Sequence, residues 1–222
     1  MRHLLVLFET QEIKEVQPLQ KSLTPVTVSK GSFYCRTNRD NYVNAVKELI
    51  GHIRRGDIYE INYCVEFVAE SITIDPFEVF NRLKNLTEAP FAGLYQCGDE
   101  IIICASPERF LKKEGAKLLT QPMKGTAPRG KTPKEDEQLK KALASSLKEQ
   151  TENVMALDVA RNDLSILARK SSVRVSGLFD VLTFKNVHQM VSTVACQLKD
   201  GTTFEQIIEA TFPPASMTGA PK

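Results

Sequence analysis

The sequence predicts an α+β fold built on antiparallel strands, and three observations support this class. Pairs of alternating apolar segments are joined by short turns that contain glycine, which is the pattern of β-hairpins. Amphipathic stretches with apolar residues three or four positions apart predict helices before and after the hairpins. The 222 residues contain no internal repeat, low-complexity tract or long block of like charge. One domain that combines sheets and helices therefore accounts for the chain.

Two helices separated by a strand are expected in the first part of the chain. The first helix is expected to begin at an Asp40 cap and to end at Gly56. Asp75 and Pro76 form an N-cap followed by proline at the first helical position, which predicts the start of the second helix. Between them, residues 59–69 alternate β-branched and aromatic side chains with polar ones. This alternation predicts one half-buried strand.

Two β-hairpins are expected next. They join residues 93–97 to 101–104 through Gly98, and residues 110–113 to 117–120 through Gly115. Residues 121–133 then contain three prolines and two glycines. Proline lacks the N–H group that a helix interior or a central strand needs, so this segment is expected to be a loop.

The second half of the chain is expected to hold one long helix over residues 134–170, because leucines recur there at multiples of three or four positions. Short strands are expected at 173–175 and 190–198, followed by a short helix that carries Phe204. Residues 212–222 are expected to form a loop without a closing strand or helix, which is typical of a fragment.

Charge and composition exclude several classes of partner. With 29 Lys+Arg against 27 Asp+Glu, the net charge of +2 provides no basic face for nucleic acid. Every apolar run is far shorter than the about 20 residues that cross a bilayer, so no membrane partner is expected. The N-terminus lacks a signal-peptide core, and the five cysteines lack CxxC spacing. The sequence therefore predicts a cytoplasmic protein whose cysteines are reduced and buried.

One segment matches the sequence pattern of a nucleotide-binding motif, but the prolines beside it do not fit the strand and helix that such a motif needs on either side. Residues 125–132 match GxxxxGK[ST]. A phosphate-binding loop must leave a buried strand and open a helix whose first N–H groups point at the phosphates. Pro122 separates the motif from the preceding strand, and Pro133 removes one of the N–H donors. Nucleotide binding is therefore disfavoured.

Lys124 and Glu108 are the more promising pair, because the expected hairpin that precedes Lys124 begins just after Glu108. In a site with little water, a lysine amine is more readily neutral and nucleophilic, and a carboxyl group more readily keeps a proton to donate. One environment would therefore activate both groups. By composition alone, a loop lysine and a turn glutamate are more often solvated charges, so the spacing leaves both interpretations open.

Blocks of sequence in a fixed order resemble the chorismate-utilising enzymes, and within them the aminodeoxychorismate synthase component I branch. The blocks are GDIYEIN (56–62), ASPERF (105–110), PMKGT (122–126), ENVM running into DVARNDL (152–164), HQMVST (188–193) and SMTGAPK (216–222). The resemblance covers residues 41–222, a partial catalytic domain, and leaves 1–40 as a shortened N-terminal segment. It implies two antiparallel β-sheets packed together with flanking helices.

The resemblance also implies an activity. Enzymes of this branch, a transaminase class, convert chorismate and ammonia to 4-amino-4-deoxychorismate for para-aminobenzoate and folate synthesis. A glutamine amidotransferase subunit supplies the ammonia, and Mg2+ is the cofactor. Residue by residue, the resemblance assigns Lys124 as the nucleophile at C2 and Glu108 as the general acid to the departing C4 hydroxyl. It assigns Glu152 as a Mg2+ ligand, and His188, Thr218, Gly219 and Ala220 as substrate-binding positions.

Other interpretations stay open beside this one. Anthranilate synthases usually carry alanine at the position of Lys124, and isochorismate synthases carry a lysine at the position of Glu60, so Lys124 favours the aminodeoxychorismate branch. An anthranilate synthase component I-like enzyme and a non-catalytic chorismate-binding fragment are the alternatives. Glu152 is also compatible with a solvated helix face, and His188 with a structural role. The family continues for roughly a hundred residues beyond Lys222, a length that must contain core strands, so this chain is expected to be incomplete for catalysis.

Overall fold

The computed structural model describes residues 33–222. Its elements are β1 (Phe33–Cys35), α1 (Arg39–Arg55), β2 (Glu60–Ile61), β3 (Phe67–Ala69), α2 (Pro76–Thr87), β4 (Phe91–Cys97), β5 (Glu100–Ser106), β6 (Arg109–Glu114), β7 (Lys117–Gln121), β8 (Met123–Pro128), α3 (Pro133–Ser145), α4 (Leu147–Leu167), β9 (Arg174–Thr183), β10 (Val187–Gln197), α5 (Phe204–Thr211) and β11 (Gly219–Ala220). The strands pair antiparallel and the helices flank them, which confirms the α+β class. Residues 1–32, most of the expected N-terminal segment, lie outside the described part.

The main sheet has five strands arranged around β10. β9 pairs with one edge of β10 over most of its length. The other edge is shared end to end, since β7 pairs with residues 194–197 and β8 pairs with residues 187–191. β6 lies beyond β7. The other sheets each have two strands: β1 with β3, β2 with β11, and β4 with β5.

The core lies between α4, α5 and the main sheet. Leu157, Ala160, Leu164 and Leu167 follow one face of α4 at helical spacing and are buried. This face packs against apolar side chains of the sheet and of α5: Leu118, Val194, Cys196, Leu198 and Ile207. Burying such side chains is the main source of stability, about 1.5–3 kcal/mol for each large one. The core therefore holds α4 against β7, β10 and α5.

Local signals for the first two helices are largely correct. α2 begins after an Asp75 side chain that accepts the amide hydrogens of Phe77 and Glu78, with Pro76 at the first helical position. α1 ends at Gly56 in the left-handed conformation, as expected. Its N-cap is wrong by two residues, because the Asn38 side chain accepts the amide hydrogen of residue 41 and places Asp40 in the first turn.

The expected long helix over 134–170 is wrong, because the structure has two helices that meet at Ser146. Ser146 is extended, its amide donates to the Leu143 carbonyl, and its side chain caps α4 at the amide of Glu149. The leucine spacing continued across this break. Periodicity reports which face is buried, and both helices turn a face toward the sheet.

The expected loop over 121–133 is also wrong, because β8 occupies residues 123–128. Its pairing with β10 runs through Met123, Thr126 and Ala127. Pro122 lies between β7 and β8, where its carbonyl still accepts the amide hydrogen of Ser192. Proline disrupts a strand only where its missing N–H is needed, and these positions at the strand ends do not need it.

Two further expectations need correction. Residues 59–69 form two short strands in different sheets, β2 and β3, rather than one strand. The last residues are not an unclosed loop, because β11 pairs with β2. Both errors share a cause: the partner strand is remote in sequence, so local alternation could not reveal it.

Two sequence-level properties can be compared with the described residues. Cys196 is buried, but Cys64, Cys97 and Cys104 are exposed, so the expectation of buried cysteines is wrong for these three. Within residues 33–222, none of the helices has the length and apolar character needed to cross a bilayer.

Candidate active site

Lys124 lies on β8 and points its amine at two oxygen acceptors from β2 and the residues after it. Its Nζ lies 2.6 Å from Oε1 of Glu60 and donates to Oδ1 of Asn62 at 2.7 Å. The side chains of Lys124 and Glu60 are each only 14% exposed. Because little water reaches this ion pair, its attraction is screened less than that of a surface pair. The amine of Lys124 is therefore fixed in position.

The pairing of β2 with β11 delivers these two acceptors. Glu60 lies opposite Ala220, and the amide of Asn62 donates to the Thr218 carbonyl at 2.8 Å. The Asn62 side chain also donates to the Ser216 carbonyl at 3.0 Å. Since alternate residues of an extended segment face the same side, Glu60 and Asn62 reach the same amine.

Gly219 makes the close approach of these two strands possible. A Cβ atom built at this position would lie 2.2 Å from the carbonyl oxygen of Glu60, closer than atoms can pack. Gly219, which the resemblance assigns to substrate binding, is therefore also needed for the packing of two strands. It lets β11 lie against β2.

Replacing Gly219 with alanine is expected to destabilise the protein by about 3 kcal/mol, because the new Cβ must displace β2. Gly98 is the matched control: its φ is +58° and a Cβ added there would meet no atom within 4 Å. Gly98→Ala is expected to cost only about 1 kcal/mol of backbone strain. Urea unfolding of both variants gives the comparison, and equal losses of unfolding free energy would contradict the proposed clash.

Glu108 lies in the turn between β5 and β6, with its carboxyl group partly buried. The Ser216 hydroxyl donates to Oε1 at 2.5 Å, and the Met123 amide also donates to the carboxyl group. Burial raises the pKa of Glu108 above its usual value, and this outweighs the lowering by those two donors and by the Lys124 charge. The carboxyl group thus keeps its proton to a higher pH than a solvated glutamate does.

The structure therefore brings Lys124 and Glu108 into one site, close enough for the lysine charge to act on the carboxyl group. The two come from opposite ends of the β6–β7 hairpin, and Met123, the residue before Lys124, supplies a donor to Glu108. An amine beside a carboxylate, together with a second carboxyl group whose pKa is raised by burial, provides the parts of a nucleophile and acid pair. Their catalytic roles stay predictions.

Asn153 ties this site to the core. Its side chain is fully buried and donates to the carbonyl oxygens of Lys124 at 3.1 Å and Met190 at 3.2 Å. The hydroxyl of Ser192 donates to its amide oxygen at 2.5 Å. One helical side chain thus joins β8 and β10 at the residue that carries the amine. A buried amide with all these partners is rigid, because breaking any bond leaves an unsatisfied polar group.

Glu152, the predicted Mg2+ ligand, lies on α4 with its side chain 37% exposed. The ammonium of Lys148 lies 3.2 Å from its Oε1 and 3.1 Å from Oε1 of Glu149, one turn before it. These carboxylates, Glu149 first, raise the pKa of Lys148. Two carboxylates that already accept a cation between them fit the oxygen donors that Mg2+ prefers. Residues 33–222 contain no cluster of three or more acidic, histidine or cysteine side chains, so water or substrate would complete the coordination.

His188 lies on β10 and is only 1% exposed. Its Nδ1 is 3.0 Å from the Thr183 hydroxyl, and its Nε2 is 3.0 Å from Oδ1 of Asp136. Asp136 also accepts from Arg129, which holds the pKa of that carboxyl group well below its usual range. Both ring nitrogens of His188 are thus occupied in a closed network. Its predicted part in substrate binding stays a prediction, and its contacts are those of a structural histidine.

The other predicted substrate-binding residues belong to the end of the chain. Thr218 is partly buried, and its carbonyl oxygen accepts from Asn62. Gly219 and Ala220 are buried against β2, and the Ala220 carbonyl accepts the amide hydrogen of Tyr59 at 2.7 Å. These residues reach the site through backbone pairing. Direct contact with a substrate stays a prediction for all three.

The GxxxxGK[ST] segment is not a phosphate-binding loop. The amide of Gly130 donates to Asp136, and the amide of Lys131 donates to Glu135, each at 2.7 Å. Thr132 caps α3. Carboxylates of the chain itself thus occupy the donors that a phosphate would need.

Three site residues were not assigned a role from the sequence: Glu60, Asn62 and Ser216. The first two carry a detectable signal, since an E-x-N pattern in an extended segment places both side chains on one face. Ser216 carries none. Its contact with Glu108 joins residues 108 positions apart and depends on the path of the chain after α5.

Comparison with known proteins gives a consistent result. The sequence profile described as chorismate binding enzyme matches residues 6–222. Aminodeoxychorismate synthase component 1 of Bacillus subtilis is 34% identical over 223 aligned residues, which cover 96% of this chain and 47% of that protein. Anthranilate synthase component 1 of Thermus thermophilus is 33% identical over 193 residues, covering 87% of this chain and 42% of that protein.

A solved structure shows the same fold. The crystal structure of anthranilate synthase component I from Streptococcus pneumoniae superposes with a TM-score of 0.77 at 28% identity. The match covers 90% of this chain and 42% of that one. The chain therefore spans less than half the length of each of these relatives.

Proposed function

The chain belongs to the chorismate binding enzyme family, and on that premise we propose that it aminates chorismate, converting chorismate and ammonia to 4-amino-4-deoxychorismate and water. The observation that carries the proposal is the shared site of Lys124 and Glu108. The product is a precursor of para-aminobenzoate and hence of folate. Relatives named aminodeoxychorismate synthase, from Bacillus subtilis and Salmonella typhimurium among others, support this branch.

In this proposal, Lys124 adds through its neutral amine to C2 of chorismate as the C4–O bond breaks. Glu108 gives its proton to the departing C4 hydroxyl, which leaves as water. Ammonia then adds at C4 and expels the lysine from C2. Burial raises the pKa of Glu108 above its usual value, which favours the protonated form that a general acid needs.

Product analysis tests the function directly. The protein as its gene encodes it is incubated with chorismate, Mg2+ and ammonium, and the product is identified by liquid chromatography and mass spectrometry. The expected product is 4-amino-4-deoxychorismate. Binding of chorismate without turnover would instead indicate a non-catalytic binding domain, and anthranilate would indicate the second candidate described below.

We further propose that Mg2+ binds Glu152, with Glu149 beside it, and that the bound cation supplies positive charge for a substrate carboxylate. Chelation by EDTA is expected to weaken chorismate binding at least about tenfold, and Glu152→Gln is expected to do the same. Calorimetric titration with chorismate, with and without Mg2+, measures the effect independently of turnover. Glu137, which pairs with Lys141 on α3 at the same helical spacing, provides the matched control. Binding that does not respond to Mg2+ in the unmodified protein would contradict the metal site.

The second candidate function is that of an anthranilate synthase component I. The Thermus thermophilus relative, at 33% identity, and the Streptococcus pneumoniae structure favour it. Lys124 argues for the first function, because a lysine at this position provides a covalent route that alanine cannot.

The ammonia source is proposed to be a glutamine amidotransferase subunit. The cytoplasmic location stays a prediction.

A further inference from the structure

We propose that Glu60 is the base that takes the proton from Lys124, an inference that rests on the proposed role of Lys124 as nucleophile. An amine can add to carbon only after it loses a proton. The carboxylate of Glu60 lies 2.6 Å from Nζ, within hydrogen-bond distance, and both side chains are 14% exposed. The acceptor is therefore in place before substrate arrives.

The other groups at the amine cannot perform this step. Asn62 accepts a hydrogen bond from Nζ through its amide oxygen, and an amide is not a base near neutral pH. Burial raises the pKa of Glu108 above its usual value, which disfavours the deprotonated form that a base needs. Among the groups that the described residues bring to Nζ, Glu60 therefore provides the basic atom.

The geometry of Glu60 comes from the backbone rather than from a flexible loop. β2 is held to β11 by bonds on both sides of Glu60, from Tyr59 to the Ala220 carbonyl and from Asn62 to the Thr218 carbonyl. The Gly219 contact brings the two backbones closer than any other residue would allow. A proton acceptor on such a support holds its distance to the amine, which proton transfer requires.

The proton balance closes over the reaction. Before substrate binds, the pair is an ammonium and a carboxylate; transfer from Nζ to Oε1 leaves an amine and a carboxylic acid, with no change in net charge. The amine forms the bond to C2, the C4–O bond breaks, and Glu108 protonates the departing hydroxyl to water. Ammonia then bonds to C4 and loses one proton to Glu108, while the C2–N bond breaks and its electron pair returns to Nζ. The free amine takes its proton back from Glu60.

Charged groups on the neighbouring elements already have partners of their own. Glu149 on α4 is paired with Lys148, and Lys222, after β11, is paired with Asp163 on α4 at 2.8 Å. Glu108 itself is the acid of the same site.

The test is the pH dependence of Glu60→Gln, whose amide keeps the shape and the acceptor but is not a base. Formation of 4-amino-4-deoxychorismate at pH 7 is expected to fall about 100-fold. The deficit is expected to shrink as the pH rises to about 9.5, because hydroxide then removes the lysine proton. Glu60→Asp retains a carboxylate, so its rate is expected to be lower than that of the unmodified protein but with the same pH profile.

Three outcomes separate the possibilities. A loss in Glu60→Gln that is equal at every pH would show that Glu60 only positions the lysine, and full activity at pH 7 would show that it has no role; either overturns the inference. If Lys124→Ala forms 4-amino-4-deoxychorismate as fast as the unmodified protein, the proposed function of Lys124 fails instead. Glu70→Gln is the control for a charge lost elsewhere. Glu70 is exposed, directly follows β3, and accepts from the hydroxyl of Tyr34 on β1, and these two strands belong to a different sheet from β8. Thermal unfolding of each variant checks that it folds.

Discussion

Replacing Lys124 with alanine is expected to lower formation of 4-amino-4-deoxychorismate by about 10³-fold or more, because the variant has no amine to form the bond to C2. The amine is the group that Glu60 at 2.6 Å and Asn62 at 2.7 Å hold in the site, so its loss leaves both acceptors without this donor. Any remaining turnover is expected to come from direct attack of ammonia. Ammonia that adds at C2 as the C4–O bond breaks gives 2-amino-2-deoxyisochorismate and water, and loss of pyruvate from that product gives anthranilate.

Lys124→Arg separates the chemistry from the charge. Arginine keeps the positive charge and the ion pair with Glu60, but it does not lose its proton in proteins and cannot act as the nucleophile. Both variants are therefore expected to be inactive, although only alanine removes the ion pair. Lys131→Ala is the control, because Lys131 lies in the adjacent loop and contacts Glu135 through its backbone amide, which alanine retains.

Mass spectrometry provides an independent readout of the same step. Without ammonia, the unmodified protein is expected to accumulate a species with the mass of protein plus chorismate minus one water. Peptide mapping should place the added mass at Lys124. Turnover in Lys124→Ala that equals that of the unmodified protein would remove the covalent role and leave direct attack by ammonia.

How far the sequence predicts this structure depends on how local each signal is. The cap at Asp75, the stop at Gly56 and the two hairpins were predicted correctly, because the residues that determine them lie within one turn of each other. β8 and β11 were missed because their partners, β10 and β2, are distant in sequence. Composition could show that residues 121–133 disfavour a central strand, but not that an edge of β10 was available.

The site shows the same division. Lys124 and Glu108 could be found from their sequence blocks, and the spacing of one hairpin brings them together. The bond between Asn62 and Ser216 joins residues 154 positions apart, so no window of sequence contains it. Glu60 reaches the Lys124 amine only because β2 pairs with β11, at the far end of the chain. The residues that tune the nucleophile were therefore less predictable than the nucleophile itself.

Replacing Glu108 with glutamine is expected to lower turnover by about 10³-fold, because the amide cannot donate a proton to the departing hydroxyl. The glutamine side chain has the same shape, its amide oxygen can accept from the Met123 amide, and its NH2 group can donate to the Ser216 hydroxyl, which now accepts. In the unmodified protein, activity is expected to fall as the pH rises through the raised pKa of Glu108, where the acid loses its proton. A pH profile of turnover measures this limb, which Glu108→Gln should lack.

Glu108→Gln is expected to lower turnover but to raise the free energy of unfolding at neutral and alkaline pH. Because burial raises the pKa of Glu108 above its usual 4.5, the folded protein binds the proton more tightly than the unfolded chain. This contribution is fully present below about 4.5 and is lost as the pH rises through the folded-state pKa, where a buried charge must form. Glu108→Gln avoids that charge, so at neutral and alkaline pH its unfolding free energy should exceed that of the unmodified protein.

Glu114→Gln is the control. Glu114 is exposed and its pKa is lowered by Lys112, so removing its charge should neither stabilise the protein nor affect turnover. A Glu108→Gln variant that is inactive and less stable at every pH would mean that Glu108 supports the fold, not the proton transfer.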